Sequence, residues 1–210
     1  MRRVLAFFGA FNPPTVAHVE MGRIAMAATG REGVVYVPSK SVYIRDEQGK
    51  DYAYSDRQRL EMLRCAAASR PWMAVTDWEI RAQAQPRTYE TLCHLRDEGY
   101  EPALLMGSDK LAELERGWRH VEEIAREFGF VCCSRGADEC RAMIRQDPYL
   151  ASLAAWIQVV DTPEALRGVS STAVRQRLGQ IEALWREVGA LVPPEILPML
   201  SPENPRQEEL

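Results

Sequence analysis

The 210-residue sequence has only three lysines, Lys40, Lys50 and Lys110, and its net charge is -4. A nucleic-acid-binding domain normally carries a basic stripe, so this balance argues against a nucleic-acid partner. No stretch approaches the roughly 18 apolar residues of a membrane span. The five cysteines (Cys65, Cys93, Cys132, Cys133, Cys140) contain no C-x-x-C pair. They read as small buried hydrophobes rather than zinc ligands or disulfide partners, which fits a reducing, cytoplasmic setting. The opening "MRRVLAFFGAF" is too short an apolar run for a signal peptide, and "NPPTVAH" follows it instead of a small-residue cleavage site. Internal repeats, low-complexity stretches and linkers are also missing. One domain over residues 1–200 is expected, with residues 201–210 as a polar tail.

What is present is alternation. Short apolar runs, "RVLAFFG", "GVVYVP", "WMAVTDW", "PALLMGS", "FGFVCCS" and "WIQVVDT", read as buried strands. Between them lie helix candidates. Ser55 precedes "DRQRLEMLRCAAAS", where Leu60, Leu63, Ala66 and Ala67 share a stripe. "TYETLCHLRDEG" ends at Gly99, and "WRHVEEIAREFG" carries Val121, Ile124, Ala125 and Phe128 at helical spacing. The pattern from Glu139 to Trp156 is helical but interrupted by Pro148. "STAVRQRLGQ" and "PPEILPML" suggest short helices near the end. Strand and helix repeated in this way predict an α/β, Rossmann-like parallel sheet with helices on both faces. Ligands bind such sheets at the carboxyl ends of the strands. The polar stretch "SKSVYIRDEQGKDYAY" after the second strand reads as a long loop over that rim.

Two motifs carry chemistry. In "GAFNPPTVAH" an apolar strand stops at Gly9-Ala10-Phe11, where glycine permits close approach of a ligand. Pro13 and Pro14 stiffen the turn, and a helix starts near Thr15 to Ala17. Its first-turn amides would face the rim, and Thr15 and His18 project from one face of that turn. A hydroxyl and an imidazole beside a helix N-terminus suit phosphoryl transfer. A proline-stiffened turn with a surface histidine is the plainer alternative. In "VSSTAVRQRL", Ser170, Ser171 and Thr172 precede a helix carrying Arg175, a second anion site or simply a capped helix.

Together "GAFNPPTVAH" and "SSTAVR" resemble the G-x-F-x-P-x-[HT]-x-G-H and I-S-S-T-x-x-R signatures of the nucleotidyltransferase superfamily. Ala17 stands where the pattern has glycine, and Thr15 where it often has histidine. The middle of the chain is similar to nicotinate- and nicotinamide-mononucleotide adenylyltransferases. "DRQRLEML" resembles their helix after the substrate loop, "DWEI" with Glu79 their following strand, and "RTYETL" their Y-T-x-x-T-L segment, with Arg87 in place of tyrosine. "LLMGSDKLAELERGW" resembles their G-x-D segment, and "VCCSR" their strand ending in arginine.

The resemblance implies an ATP site of Gly9, Ala10, Phe11, Thr15, His18, Gly107, Asp109, Ser171, Thr172 and Arg175. His18, Thr15 and Arg175 would be its catalytic members. Lys40, Arg45, Thr88, Trp118 and Arg135 would serve the pyridine mononucleotide. Trp118 has packing of its own helix as the alternative, Asp109 an N-cap, and Lys40 and Arg45 plain solvation. His94 and His120, far from both motifs, read as structural. The implied reaction is in-line attack of a mononucleotide phosphate on the α-phosphate of ATP, with magnesium arriving on ATP and no protein metal site. A phosphopantetheine-like acceptor, CTP as donor, or a nucleotide sensor without turnover remain open at this point, as does homo-oligomerisation.

Overall fold

Alternating apolar runs and capped helices build the architecture directly. The computed structural model describes residues 1–46, 54–134, 139–166, 168–178, 189 and 191–200; the polar tail lies outside them. In chain order the elements are β1 (Arg2–Gly9), α1 (Val16–Thr29), β2 (Gly33–Pro38), α2 (Ser41–Asp46), α3 (Asp56–Ala68) and β3 (Met73–Val75). Then come α4 (Trp78–Arg81), α5 (Thr88–Asp97), β4 (Tyr100–Gly107), α6 (Ser108–Leu111), α7 (Leu114–Gly117) and α8 (Val121–Glu127). The chain continues through β5 (Phe130–Ser134), α9 (Glu139–Gln146), α10 (Pro148–Ser152), β6 (Ile157–Asp161) and α11 (Ser171–Leu178), and a 3-10 turn spans Pro194–Leu200.

The strands form one six-stranded sheet in the order β3-β2-β1-β4-β5-β6, and every pairing is parallel. Period-2 alternation divides the core. Leu5, Phe7, Val34 and Tyr36 pack against Ala25 of α1, Met62, Leu63 and Ala66 of α3, Val174 of α11 and Ile196. Val4, Ala6, Val35 and Val37 point to the other face, against Leu92 and Leu95 of α5 and Ile124 and Ala125 of α8. Helices therefore cover both faces, as the sequence predicts. The order reverses between β1 and β4, which opens a crevice at their carboxyl ends, beside Gly9 and Gly107.

Local chemistry sets the helix starts. Ser55 and Gln58 form a reciprocal capping box on α3, an arrangement worth about 1 kcal/mol. The break expected at Pro148 is present: α9 stops at Gln146, and the Asp147 carboxylate caps α10 by accepting from the Tyr149 and Leu150 amides. Gly22 of α1 packs onto β2 at the Tyr36 hydroxyl, where a Cβ would collide with it, and that hydroxyl donates to the His18 carbonyl at 3.0 Å.

Three expectations are corrected. "DWEI" is helical in α4, not a strand; β3 ends at Val75, and the Trp78 amide donates to the Thr76 hydroxyl at 3.3 Å, which starts a turn. The stretch read as a loop after β2 opens with α2, anchored where the Ser41 amide donates to Asp56 Oδ1 at 2.8 Å. Among the cysteines, Cys132, Cys133 and Cys140 are buried, but Cys65 is exposed on α3 and Cys93 is half-buried where α5 packs against the second core. All five are free thiols.

Candidate active site

The end of β1 is built around glycine. A Cβ on Gly9 would lie 3.2 Å from the Phe11 ring and press it a few tenths of an ångström out of place, so glycine lets the strand end this close to its own turn. Phe11 has φ +45, a left-handed backbone uncommon outside glycine, and its buried ring stands edge-on to His18 with centroids 5.1 Å apart. Phe11 thus props the histidine from beneath.

Thr15 caps α1 in a reciprocal box with His18. The Thr15 backbone N–H donates to His18 Nδ1 at 3.0 Å, and the Thr15 hydroxyl lies 2.8 Å from the same nitrogen. A backbone amide can only donate, so Nδ1 is an acceptor and the proton of the neutral ring sits on Nε2. His18 is thereby oriented as an Nε2–H donor.

The second motif closes on the first. The Ser171 hydroxyl donates to the Pro13 carbonyl at 2.8 Å, and Arg175 Nη1 donates to the Asn12 carbonyl at 2.7 Å. The other terminal nitrogen of Arg175 reaches the Thr172 hydroxyl at 3.4 Å. Segments more than 150 residues apart in sequence thus share one rim. Across the crevice, a Cβ on Gly107 would meet Asp109 Oδ1 at 2.7 Å, so glycine there lets the exposed Asp109 carboxylate fold back over the end of β4.

Several assigned residues take other roles. Thr15 is 0% exposed and its hydroxyl meets His18 Nδ1, so it positions the imidazole. Phe11 and Gly107 are likewise buried. The α1 terminus is less open to phosphate than its sequence suggests. The Val16 amide donates to the Leu191 carbonyl at 2.9 Å and the His18 amide to the Thr15 hydroxyl at 3.4 Å, because the chain after α11 packs over this turn. Ser170, not Ser171 or Thr172, caps α11, its hydroxyl accepting from the Ala173 amide at 3.1 Å. Gly9, Ala10, His18, Asp109, Ser171, Thr172 and Arg175 keep accessible surface around the rim.

Just beyond β2, Lys40 is not simply solvated. Its ammonium donates to the carbonyls of Ile80, at 2.9 Å, and Ala82. Thr88 opens α5, Trp118 is half-buried against the second core, and Arg45 falls in α2. Arg135 lies outside the described residues. His94 stacks on Trp78 at 4.5 Å, and His120 has φ +60 at the start of α8, both away from the rim motifs.

Three residues have no site role in the sequence reading, though Glu79 is noted within "DWEI". Asn12 is buried, and its Oδ1 accepts from the Tyr54 amide at 3.2 Å. Arg59 is 0% exposed; it donates to the Ala10 carbonyl at 2.5 Å, the Ser39 carbonyl at 2.6 Å and Asp56 Oδ1 at 2.5 Å. It ties the ends of β1 and β2 to α3, and the Asp56/Arg59 spacing of three was its only sequence signal. Glu79 is 1% exposed, bonded by the Thr91 hydroxyl at 2.8 Å and by the Gln85 amide. Burial pushes its carboxyl from the ordinary 4.5 up to about 7, against the opposing pull of those two bonds.

Comparison with known proteins agrees with this geometry. Residues 6–177 match the family model described as cytidylyltransferase-like. A protein of Carboxydothermus hydrogenoformans named "Probable nicotinate-nucleotide adenylyltransferase" is 29% identical over 178 residues, covering 82% of this chain and 84% of that one. The Arabidopsis thaliana nicotinamide/nicotinic acid mononucleotide adenylyltransferase is 27% identical over 187 residues, covering 82% of this chain and 78% of its own. In fold, the Plasmodium falciparum nicotinic acid mononucleotide adenylyltransferase complexed with NaAD superposes with a TM-score of 0.69 at 16% identity, over 95% of this chain and 96% of that one. The match spans both signatures, and the chain belongs to the cytidylyltransferase-like family of nucleotidyltransferases.

Proposed function

We propose that the protein is an adenylyltransferase that joins the AMP of ATP to nicotinate or nicotinamide mononucleotide and releases pyrophosphate, a step of NAD biosynthesis. The observation that carries this reading is the convergence of Ser171 and Arg175 on the Pro13 and Asn12 carbonyls beside His18. The names borne by similar chains in Carboxydothermus and Arabidopsis support the pyridine acceptor.

ATP lies along the rim from Asp109, which meets the ribose, to Ser171, Thr172 and Arg175, which take the β- and γ-phosphates. Gly9 and Ala10 present backbone to the α-phosphate. His18 donates Nε2–H to a non-bridging oxygen whose charge grows during transfer, while Thr15 and Phe11 hold the ring. The mononucleotide phosphate attacks in line and pyrophosphate departs, so no protein nucleophile is required. Thr88 and Trp118 flank the pyridine ring.

Magnesium enters on the ATP phosphates and keeps several waters. The accessible rim groups around His18 and Arg175 suit phosphate oxygens. In this reading the cation is part of the nucleotide substrate. The enzyme works in a reducing cytoplasm, supported by its free thiols; among the described residues no helix is long and apolar enough to cross a membrane.

The test is pyrophosphate release with ATP and magnesium, comparing nicotinate mononucleotide, nicotinamide mononucleotide and phosphopantetheine. Turnover with a pyridine nucleotide is expected. Silence with both, or turnover with phosphopantetheine alone, refutes the assignment.

A further inference from the structure

Resting on the pyridine-nucleotide reading above, we infer that Glu79 is a positioning residue for the mononucleotide half of the site, acting through Gln85 on the segment that leads into Thr88. The geometry is a closed chain of bonds. Glu79 Oε1 accepts from the Thr91 hydroxyl at 2.8 Å and Oε2 accepts from the Gln85 side-chain amide. The Gln85 side-chain oxygen in turn accepts the Lys40 backbone N–H at 2.9 Å. Lys40 returns its ammonium to the carbonyls of Ile80 and Ala82, on either side of α4's end. Lys40 stands two residues beyond β2, and its neighbour Ser39 donates its amide to the Gly9 carbonyl at 3.0 Å. One buried carboxyl therefore fixes segment 82–87 and the first turn of α5 against the rim of the crevice.

The circuit lies on the mononucleotide side and meets an ATP-side group through the Ser39 amide on the Gly9 carbonyl. The groups placed on ATP lie at the ends of β1 and β4 and on α11, and none bonds to Glu79, Gln85 or Thr91 in the contacts described above. What Glu79 holds directly is Gln85, on the segment leading to Thr88, and Thr91 in the first turn of α5.

The network also tolerates a neutral group at position 79. The Thr91 hydroxyl lies 3.5 Å from the Arg87 carbonyl, so it can donate there while accepting from a protonated acid or an amide, and the Gln85 bond is unchanged. This makes the conservative variant a rescue control.

The experiment measures KM for ATP and for whichever pyridine mononucleotide the wild type uses, in Glu79→Ala, Glu79→Gln and Gln85→Ala. Gln85 lines an open cleft of about 630 Å³ together with Trp78, Tyr89 and His94, so its truncation leaves the core intact should Glu79→Ala fail to fold. Loss of one ordering hydrogen bond predicts a mononucleotide KM raised about tenfold in Glu79→Ala and Gln85→Ala. The ATP KM should move less than about twofold, and Glu79→Gln should restore the mononucleotide KM to within about threefold of wild type. Equal rises in both KM values, or no rise in either alanine variant, overturn the role of Glu79. A wild type silent with both pyridine nucleotides overturns instead the functional reading beneath it.

Discussion

Replacing Glu79 by glutamine should stabilise the protein, and more so as pH rises. The carboxyl is 1% exposed, and burial lifts it from 4.5 to about 7 because the charged form loses its hydration. A raised carboxyl pKa means that, between the two values, the native state holds a proton that the unfolded chain releases. Stability from this group is therefore full below about pH 4.5 and declines as pH climbs through about 7. The whole rise corresponds to about 3 kcal/mol. Glutamine keeps the shape, donates to the Thr91 hydroxyl and accepts from Gln85, yet never ionises. The stability difference between Glu79→Gln and wild type should thus grow by about 2–3 kcal/mol between pH 5 and pH 8.5. For a chain of this length that is a Tm gain of several degrees, about 2–4 °C per kcal/mol. Urea unfolding of both proteins at half-unit steps from pH 5 to 9 reads it directly, since other titrating groups cancel in the difference. Parallel curves, or a variant that loses stability at high pH, would refute the assignment of a burial-dominated carboxyl.

The His18→Ala variant should lower kcat by about 10²–10³-fold with Tm little changed, because one preorganised donor to the transferring phosphate is lost; unaltered turnover in a steady-state assay removes His18 from the chemistry. For Arg175→Ala, a KM for ATP raised at least about tenfold is expected from loss of a charge-assisted phosphate contact, and an unchanged ATP KM contradicts its placement. Arg59→Met strands the Asp56 carboxylate and the Ala10 and Ser39 carbonyls. It should cost about 3–5 kcal/mol in urea unfolding, whereas a loss below about 1 kcal/mol would show that the buried cation is dispensable.

Much of the fold is written in local pattern. Six apolar runs with helices between them suffice for a parallel sheet, since β-branched and aromatic runs bounded by turn residues have few other ways to be buried. "DWEI" shows the limit. Its apolar residues suit a strand or a single helical turn equally, and only the Thr76 hydroxyl accepting the Trp78 amide decides between them. The buried partners were similarly hidden. Arg59 and Glu79 look like ordinary surface charges, because nothing local announces that three carbonyl and carboxylate groups, or a distant glutamine and threonine, will enclose them.

Sequence by itself determined the two phosphate motifs, the capped helices and the α/β class, since each depends on residue types at short spacing. Tertiary structure alone decided that Arg175 would grip the Asn12 carbonyl, that Thr15 would be buried against His18, and that Lys40 would spend its charge on the carbonyls of Ile80 and Ala82. The physical reason is range: a cap or a stripe is complete within a few residues, whereas a buried charge or a shared rim is satisfied by groups that only chain folding brings within hydrogen-bond distance.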